Sequence, residues 1–294
     1  MLMLPQEIHI EIEDTLSKKL GKEIILHHQE RVFGGDISES FCVTTSLGKF
    51  FLKLNSLSYL DNFEKESDNL QLLRNTGIFI IPDTLFVSST GNYAILLMEY
   101  VESTEENDLF WTNFGESMAR LHLISAEKYG LDYDNYIGGL NQSNRRIENW
   151  IDFFVTERLE KQLNLGKENN IVDEELYSKF QDLYRKLPSL LPIEKPSLLH
   201  GDMWGGNHFA DIDSRPVLID PACYYGHREA ELAFTLLFTR FSHMFYEAYQ
   251  SNFPLEGGWQ ERAEIYNLYY LLVHANLFGP SYLDRVHSVL YKYL

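Results

Sequence analysis

The sequence predicts an α+β protein of two lobes, a small β-rich first lobe carrying one inserted helix and a larger, mainly helical second lobe. Three observations predict it. Short runs rich in β-branched and aromatic residues, bounded by turn residues, fill most of the first hundred positions. Apolar stripes at helical spacing dominate beyond Val101, and one loop-rich interruption at 197–220 breaks the helical half. A chain of 294 residues is long enough for two lobes that share a cleft. The expected division is 1–100 and 101–294, with the lobes meeting near 99–102.

The elements follow in order. Between 5 and 20, Ile8, Ile12, Leu16 and Leu20 recur every four residues before Gly21, which predicts an amphipathic helix with a glycine stop. Strands are predicted at 23–33 and 39–45, and a third at 50–54 after a turn at Leu47-Gly48. A helix over 59–74 ends at Asn75-Thr76-Gly77, and strands at 84–88 and 93–98 flank a Thr90-Gly91-Asn92 turn. In the second half, Phe110, Phe114, Met118 and Leu121 form one apolar stripe. Trp150, Phe153, Phe154, Leu159 and Leu163 mark a further helix. Within the interruption, Leu198-Leu199 and Val217-Leu218-Ile219 read as short strands.

Composition narrows the function classes. A net charge of −18 repels nucleic acid and anionic membrane, so neither is an expected partner; a cationic or neutral ligand suits the chain better. An anionic nucleotide would need local basic groups or a metal. Cys42 and Cys223 lie far apart without a CxxC spacing, as expected of two thiols in a reducing compartment. The N-terminus has no basic region followed by an apolar run, and no stretch approaches the length of a membrane span. The expectation is a cytoplasmic protein. Its oligomeric state leaves no signal.

The informative residues lie in the interruption. His200-Gly201-Asp202 is followed by Met203-Trp204-Gly205-Gly206 and Asn207, and Asp220 lies thirteen residues further on. The step from Asp202 to Asn207 is that of the protein-kinase catalytic loop, H-R-D-x-x-x-x-N. Phosphoryl transfer needs a carboxylate beside the acceptor hydroxyl, and an oxygen ligand with a second carboxylate for Mg²⁺. Asp202, Asn207 and Asp220 supply that set. Each has an ordinary use alone, as a turn cap, a left-handed residue or a residue before proline; together at this spacing they predict a kinase site.

The first lobe offers the remaining parts. Gly34-Gly35-Asp36-Ile37-Ser38 lies between two predicted strands, where backbone amides could approach phosphates, although a Gly-Gly pair there also suits a plain turn. Lys53 stands on the strand face opposite Leu52 and Leu54, placed to clamp phosphates. Glu66 on the following helix is its expected ion-pair partner, with Glu64 as the competitor. Adjacent His27 and His28 would point to opposite strand faces and are set aside as a metal site.

These motifs resemble the fructosamine kinase (ketosamine-3-kinase) family, within the wider aminoglycoside-phosphotransferase and choline-kinase group. The resemblance runs over nearly the whole chain. The Gly34–Ser38 run and the H-G-D-x-x-x-x-N element are shared broadly. Arg228-Glu229-Ala230-Glu231-Leu232-Ala233 also carries the resemblance; more particular are Asp220-Pro221-Ala222-Cys223-Tyr224-Tyr225-Gly226 and a C-terminal run from Tyr266 to Leu272 with His274, Asn276, Phe278 and Gly279. Glu231 departs from the wider group, where an aspartate often supports the catalytic loop, so its bonding is left open.

The resemblance implies a two-lobed protein-kinase-like fold and ATP-dependent phosphorylation of a sugar hydroxyl on ketoamines formed by glycation. ATP is expected between the lobes, its adenine on the backbone of Glu99, Tyr100 and Val101 and its phosphates under Gly34, Gly35 and Asp36. Asn207 and Asp220 are expected to hold Mg²⁺, and Asp202 to take the hydroxyl proton. Trp204, His274 and Phe278 are candidate substrate contacts; the indole could equally pack on the C-terminal helices, and His274 and Phe278 could be core residues four apart on one helical face. The alternatives are a kinase of this fold for an aminoglycoside or choline-like compound, or a catalytically weak nucleotide-binding module. The sugar and its amine carrier are not legible.

Overall fold

Which face of each strand is apolar decides how the first lobe packs. A computed structural model describes residues 4–32 and 37–294. Helix α1 (Gln6–Leu20) ends at Gly21, in the left-handed region with φ 67°. Its Ile8, Ile12 and Leu16 are buried, but Leu20 is 48% exposed. Four-residue steps overshoot a 3.6-residue turn by about 40° each, and three of them carry Leu20 out of the stripe.

Strands β1 (Leu26–Val32), β2 (Glu39–Thr45), β3 (Gly48–Ser56), β4 (Thr84–Thr90) and β5 (Tyr93–Glu99) form an antiparallel sheet in the order β1-β2-β3-β5-β4. Helix α2 (Leu60–Arg74) is inserted between β3 and β4. This is the predicted order of three strands, a helix and two strands. Side chains alternate across the sheet. Leu52, Leu54, Ile95 and Leu97 pack with Phe41 and Val43 against α1, while Leu96 and Met98 join Phe63, Leu70 and Leu73 of α2. Lys53 stands opposite Leu96 in register and therefore on the α2 face.

Beyond β5 come β6 (Ser103–Thr104), α3 (Asp108–His122), a hairpin of β7 (Asn135–Ile137) and β8 (Leu140–Gln142), and α4 (Trp150–Phe153). A π-helical turn at Phe154–Leu159 leads into α5 (Glu160–Glu168), followed by α6 (Glu174–Leu190). The helix expected from Trp150 to Leu163 therefore contains a π turn, and the five-residue step from Phe154 to Leu159 is its trace. The wider turn lets Trp150, Phe153, Phe154, Leu159 and Leu163 all reach one core.

The interruption itself holds β9 (Ser197–Leu199), β10 (His208–Asp211) and β11 (Pro216–Leu218), and β12 (Tyr224–Gly226) pairs back on β9. Helices α7 (Arg228–Phe234), α8 (His243–Asn252), α9 (Trp259–Phe278) and α10 (Leu283–Tyr293) complete the chain. The middle of α9, from Ile265 to Val273, is buried on all sides and is the axis of the large core.

Two seams lie at the junction, and the second of them crosses between the halves. β6 pairs with β10, and Ile80, just after α2, pairs in parallel with Val217 of β11. Among the described residues no helix is long and apolar enough to cross a membrane. Cys42 and Cys223 are free thiols.

Candidate active site

The loop from His200 to Asn207 connects β9 to β10, and its shape is imposed from below. Gly201 has φ 87°, and a Cβ there would collide with the carbonyl of Ala222, so only glycine lets the two loops meet. His200 Nε2 donates to the Ile219 carbonyl at 2.9 Å, while its Nδ1 accepts the Asp202 amide at 3.3 Å. That pair of bonds fixes the neutral tautomer, and burial holds the imidazole pKa below its ordinary value. His200 thus ties the residue before Asp220 to Asp202.

Glu231, left open by the sequence, supplies the floor. Its carboxylate accepts the backbone N–H groups of His200 and Gly201 at 3.1 and 2.6 Å and meets His122 Nε2 at 2.9 Å. His122 is held in turn by the Tyr249 hydroxyl at 2.8 Å. Burial alone would raise the Glu231 pKa, but His122, His200 and the Gly201 amide together hold it below the usual range. The longer side chain reaches the loop that an aspartate often supports in the wider group.

Asp202 and Asn207 form a closed pair. Asn207 Nδ2 donates both to the Asp202 backbone carbonyl at 2.8 Å and to Asp202 Oδ2 at 2.9 Å. These bonds fix the amide orientation and turn Oδ1 of Asn207 away from the loop. They also engage one oxygen of Asp202. Burial, with added repulsion from Asp220 and Glu231, pushes the Asp202 carboxyl up to about 7 against the opposing pull of Asn207 and Lys53.

Asp220 takes the left-handed conformation, φ 56°, which an aspartate tolerates better than most residues. Its carboxylate pairs with Lys53 Nζ, which also reaches Glu66 at 2.7 Å. Lys53 is 8% exposed. Burial alone would lower its pKa, but the two carboxylates outweigh burial and raise it. Glu66 is driven upward by burial and by the charge of Asp220. Glu64 points to solvent, so the helix face is the expected one.

Lys53, Glu66, Asp202, Asn207 and Asp220 line one cleft of about 1060 Å³, together with Glu99, Tyr100 and Val101 along the connection between the lobes. Ile37 and Ser38 line it as well; Gly34, Gly35 and Asp36 lie outside the described residues. Trp204 lines the cleft and also packs on the helical core. Its indole covers the place where a Cβ on Gly206 would stand. His274 and Phe278 line the cleft too, and Phe278 is 48% exposed, so it is not the core residue that its spacing allowed.

Several residues at the site carried no local signal. Asn69, one turn beyond Glu66 on α2, donates to the Pro221 carbonyl at 3.0 Å and accepts from the Tyr133 hydroxyl at 3.1 Å. Asn135 and Gln142 of the β7–β8 hairpin donate to the carbonyls of Cys223 and Ala222 at 2.8 and 3.0 Å. Tyr136 reaches Asp61 at the start of α2 at 2.6 Å. Together they hold the helix of Glu66 and the segment after Asp220 in one frame.

A β-rich lobe with one inserted helix, a helical lobe, and a catalytic-type loop at their junction define the protein-kinase-like class of fold. Comparison with known proteins sharpens this. The family model described as fructosamine kinase matches residues 8–294. The chain is 40% identical over 288 residues to an Enterococcus faecium protein named "Probable ketoamine kinase", covering 96% of this chain and 99% of that one. It is 34% identical over 281 residues to a rice protein named protein-ribulosamine 3-kinase, chloroplastic, covering 93% and 81%. The crystal structure of a candidate fructosamine-3-kinase from Haemophilus somnus 129PT superposes with a TM-score of 0.87 at 30% identity, covering 98% of this chain and 99% of that one. The chain belongs to the fructosamine kinase family. An aminoglycoside phosphotransferase superposes with a TM-score of 0.61 at 16% identity, a likeness of fold.

Proposed function

We propose that the protein transfers the γ-phosphoryl group of ATP to a sugar hydroxyl of a ketoamine. One observation carries the reading: Asp202, with Asn207 and Asp220, faces the Lys53–Glu66 pair in a single cleft. Family membership and the names of the relatives point the same way.

The residue roles follow from their chemistry. Lys53, kept charged by two carboxylates, neutralises the α- and β-phosphates. The backbone of Glu99, Tyr100 and Val101 offers the adenine its hydrogen bonds, and Gly34, Gly35 and Asp36 are assigned to the phosphates. Asp202 takes the hydroxyl proton on Oδ1, because Oδ2 is held by Asn207. Its raised pKa matches that of a base working near neutrality. The amide oxygen of Asn207 and the carboxylate of Asp220 suit Mg²⁺, a hard cation that keeps positions for phosphate and water and neutralises charge there. Trp204, His274 and Phe278 are assigned to the acceptor substrate.

In this reading residues 1–100 form the nucleotide lobe and 101–294 the catalytic and substrate lobe. The net charge of −18 disfavours nucleic acid and anionic membrane as partners, and the setting proposed is cytoplasmic. The test is an ADP-release assay over ribulosamines, fructosamines, aminoglycosides and choline, with phosphorus NMR of the product. Turnover of a ketoamine, with phosphate on the sugar and most simply on the 3-hydroxyl that the family favours, is expected. Turnover of an aminoglycoside or choline with silence on every ketoamine would reassign the acceptor.

A further inference from the structure

The acceptor end of the cleft carries more aromatic surface than phosphoryl transfer requires. Tyr270 donates to the Gly201 carbonyl at 3.1 Å, beside Asp202, and lies flat on Phe234 with centroids 3.7 Å apart. His274 and Phe278 follow at successive turns of α9, so the stripe leads outward from the catalytic loop over about 12 Å. At its outer end the ring of His274 is met by Phe238 at 4.7 Å, Tyr282 at 5.2 Å and Phe278 at 5.6 Å. These rings come from three separate segments and line the same cleft as Asp202. Phe238 and Phe278 remain 43% and 48% exposed. Neither 234–238, nor 270–278, nor 279–282 contains an Asp, Glu, Lys or Arg.

The facing wall differs. Two of its polar groups are already engaged, Tyr136 with Asp61 at 2.6 Å, and Lys65 with Asp68 at 3.6 Å and over the Tyr133 ring at 5.3 Å. A ketoamine whose 3-hydroxyl sits at Asp202 has its nitrogen two carbons away from the reacting carbon. Whatever the nitrogen carries must therefore run along one of these walls. The aromatic wall offers exposed apolar surface at Phe238 and Phe278.

We infer that Phe238, His274, Phe278 and Tyr282 form the subsite for the amine carrier, and that it takes an uncharged alkyl or aryl segment directly beyond the nitrogen. The inference rests on the ketoamine reading above. Aromatic faces tolerate the protonated secondary amine and cover methylenes or a ring. A carboxylate next to the nitrogen would be desolvated against them without a partner.

The experiment uses one ketose joined to benzylamine, to hexylamine and to glycine. The benzyl and hexyl adducts are expected to exceed the glycine adduct at least tenfold in kcat/KM, chiefly through KM, about what one well-covered apolar group contributes. Phe238→Ala and Phe278→Ala should each erase several-fold of that preference. In Phe238→Ala, KM for ATP and kcat on the glycine adduct should stay unchanged, and so should the melting temperature, since that ring is half exposed. Ketoamine turnover with equal KM for all three carriers would overturn the subsite alone, as would a preference that survives in the double variant. Silence on every ketoamine beside turnover of choline or an aminoglycoside would overturn the underlying reading and the subsite with it.

Discussion

Two clusters of charge lie within the second lobe and at its mouth, and they are built differently. Below the catalytic loop, the short buried helix α7 presents Glu229 and Glu231. Glu229 meets Arg262 in a two-point bond at 2.9 and 2.5 Å, and Glu231 meets His122. Arg228 of the same helix takes both oxygens of Glu194 at 2.8 and 2.7 Å and then donates to the carbonyls of Phe253 and Pro254. Each carboxylate there has its own basic partner. In the cleft, by contrast, Lys53 serves both Glu66 and Asp220, while Asp202 is held by an amide. The floor keeps Glu194 and Glu231 below their usual pKa range, although burial lifts Glu229 above its own against the pull of Arg262, and the cleft pushes Asp202 and Glu66 above theirs. The floor is matched for rigidity; the cleft is left short of positive charge, which makes it receptive to a cation and its phosphates.

The sharpest way to break this contrast is at the cleft itself. Asp220→Ala should abolish Mg²⁺-dependent turnover while the circular dichroism stays native, and Asp202→Asn should lower kcat by about 10²–10⁴. Near-native turnover in either variant would remove the assigned roles. Next comes the lysine. Lys53→Met should cost on the order of 100-fold in kcat/KM, as loss of one preorganised charge stabiliser does. Glu66→Gln should cost less, and Glu64→Gln nothing measurable.

The floor should respond in stability first. Glu231→Ala strands two buried N–H groups and His122, a loss of about 3–5 kcal/mol by the usual cost of breaking a buried pair. Urea unfolding measures it; an inactive variant of unchanged stability would mean that the floor does not carry the loop. The smallest effect is in pH. With Asp202 raised to about 7, kcat/KM should climb as pH rises through that value and the base loses its proton. The native carboxyl also binds its proton at higher pH than the unfolded chain does, so native stability falls between about pH 4 and 7. Asp202→Asn should therefore melt above the wild type at pH 8 and close to it at pH 4.

The line between legible and hidden residues is physical. Lys53, Glu66, Asp202, Asn207 and Asp220 were legible because local rules place them: a strand face, a helix face, and a fixed step along one loop. The fold class was legible for the same reason, since strand and helix periods switch near Val101. His122 was not, because its partner Glu231 is 109 positions away and no period links them. The one hint was two glutamates in α7, every residue of which is buried. Asn69 likewise looked like any helix asparagine, and its burial to 1% reveals the bond to Pro221 only in three dimensions. The hairpin at 135–142 passed unread, since its strands are three residues each. Phe238 and Tyr282 joined the cleft only through the turns that end α7 and α9.

The seams described above bear on how the chain could be divided. Asn69 is bonded to Tyr133 and Pro221, Asp61 to Tyr136, and Ile80 to the backbone of residues 216 and 218. A polypeptide cut at residue 100 would therefore yield two pieces that each present half of an interdigitated seam. Expressed together, such halves would behave as complementing fragments, with phosphotransfer as the signal that they had found one another.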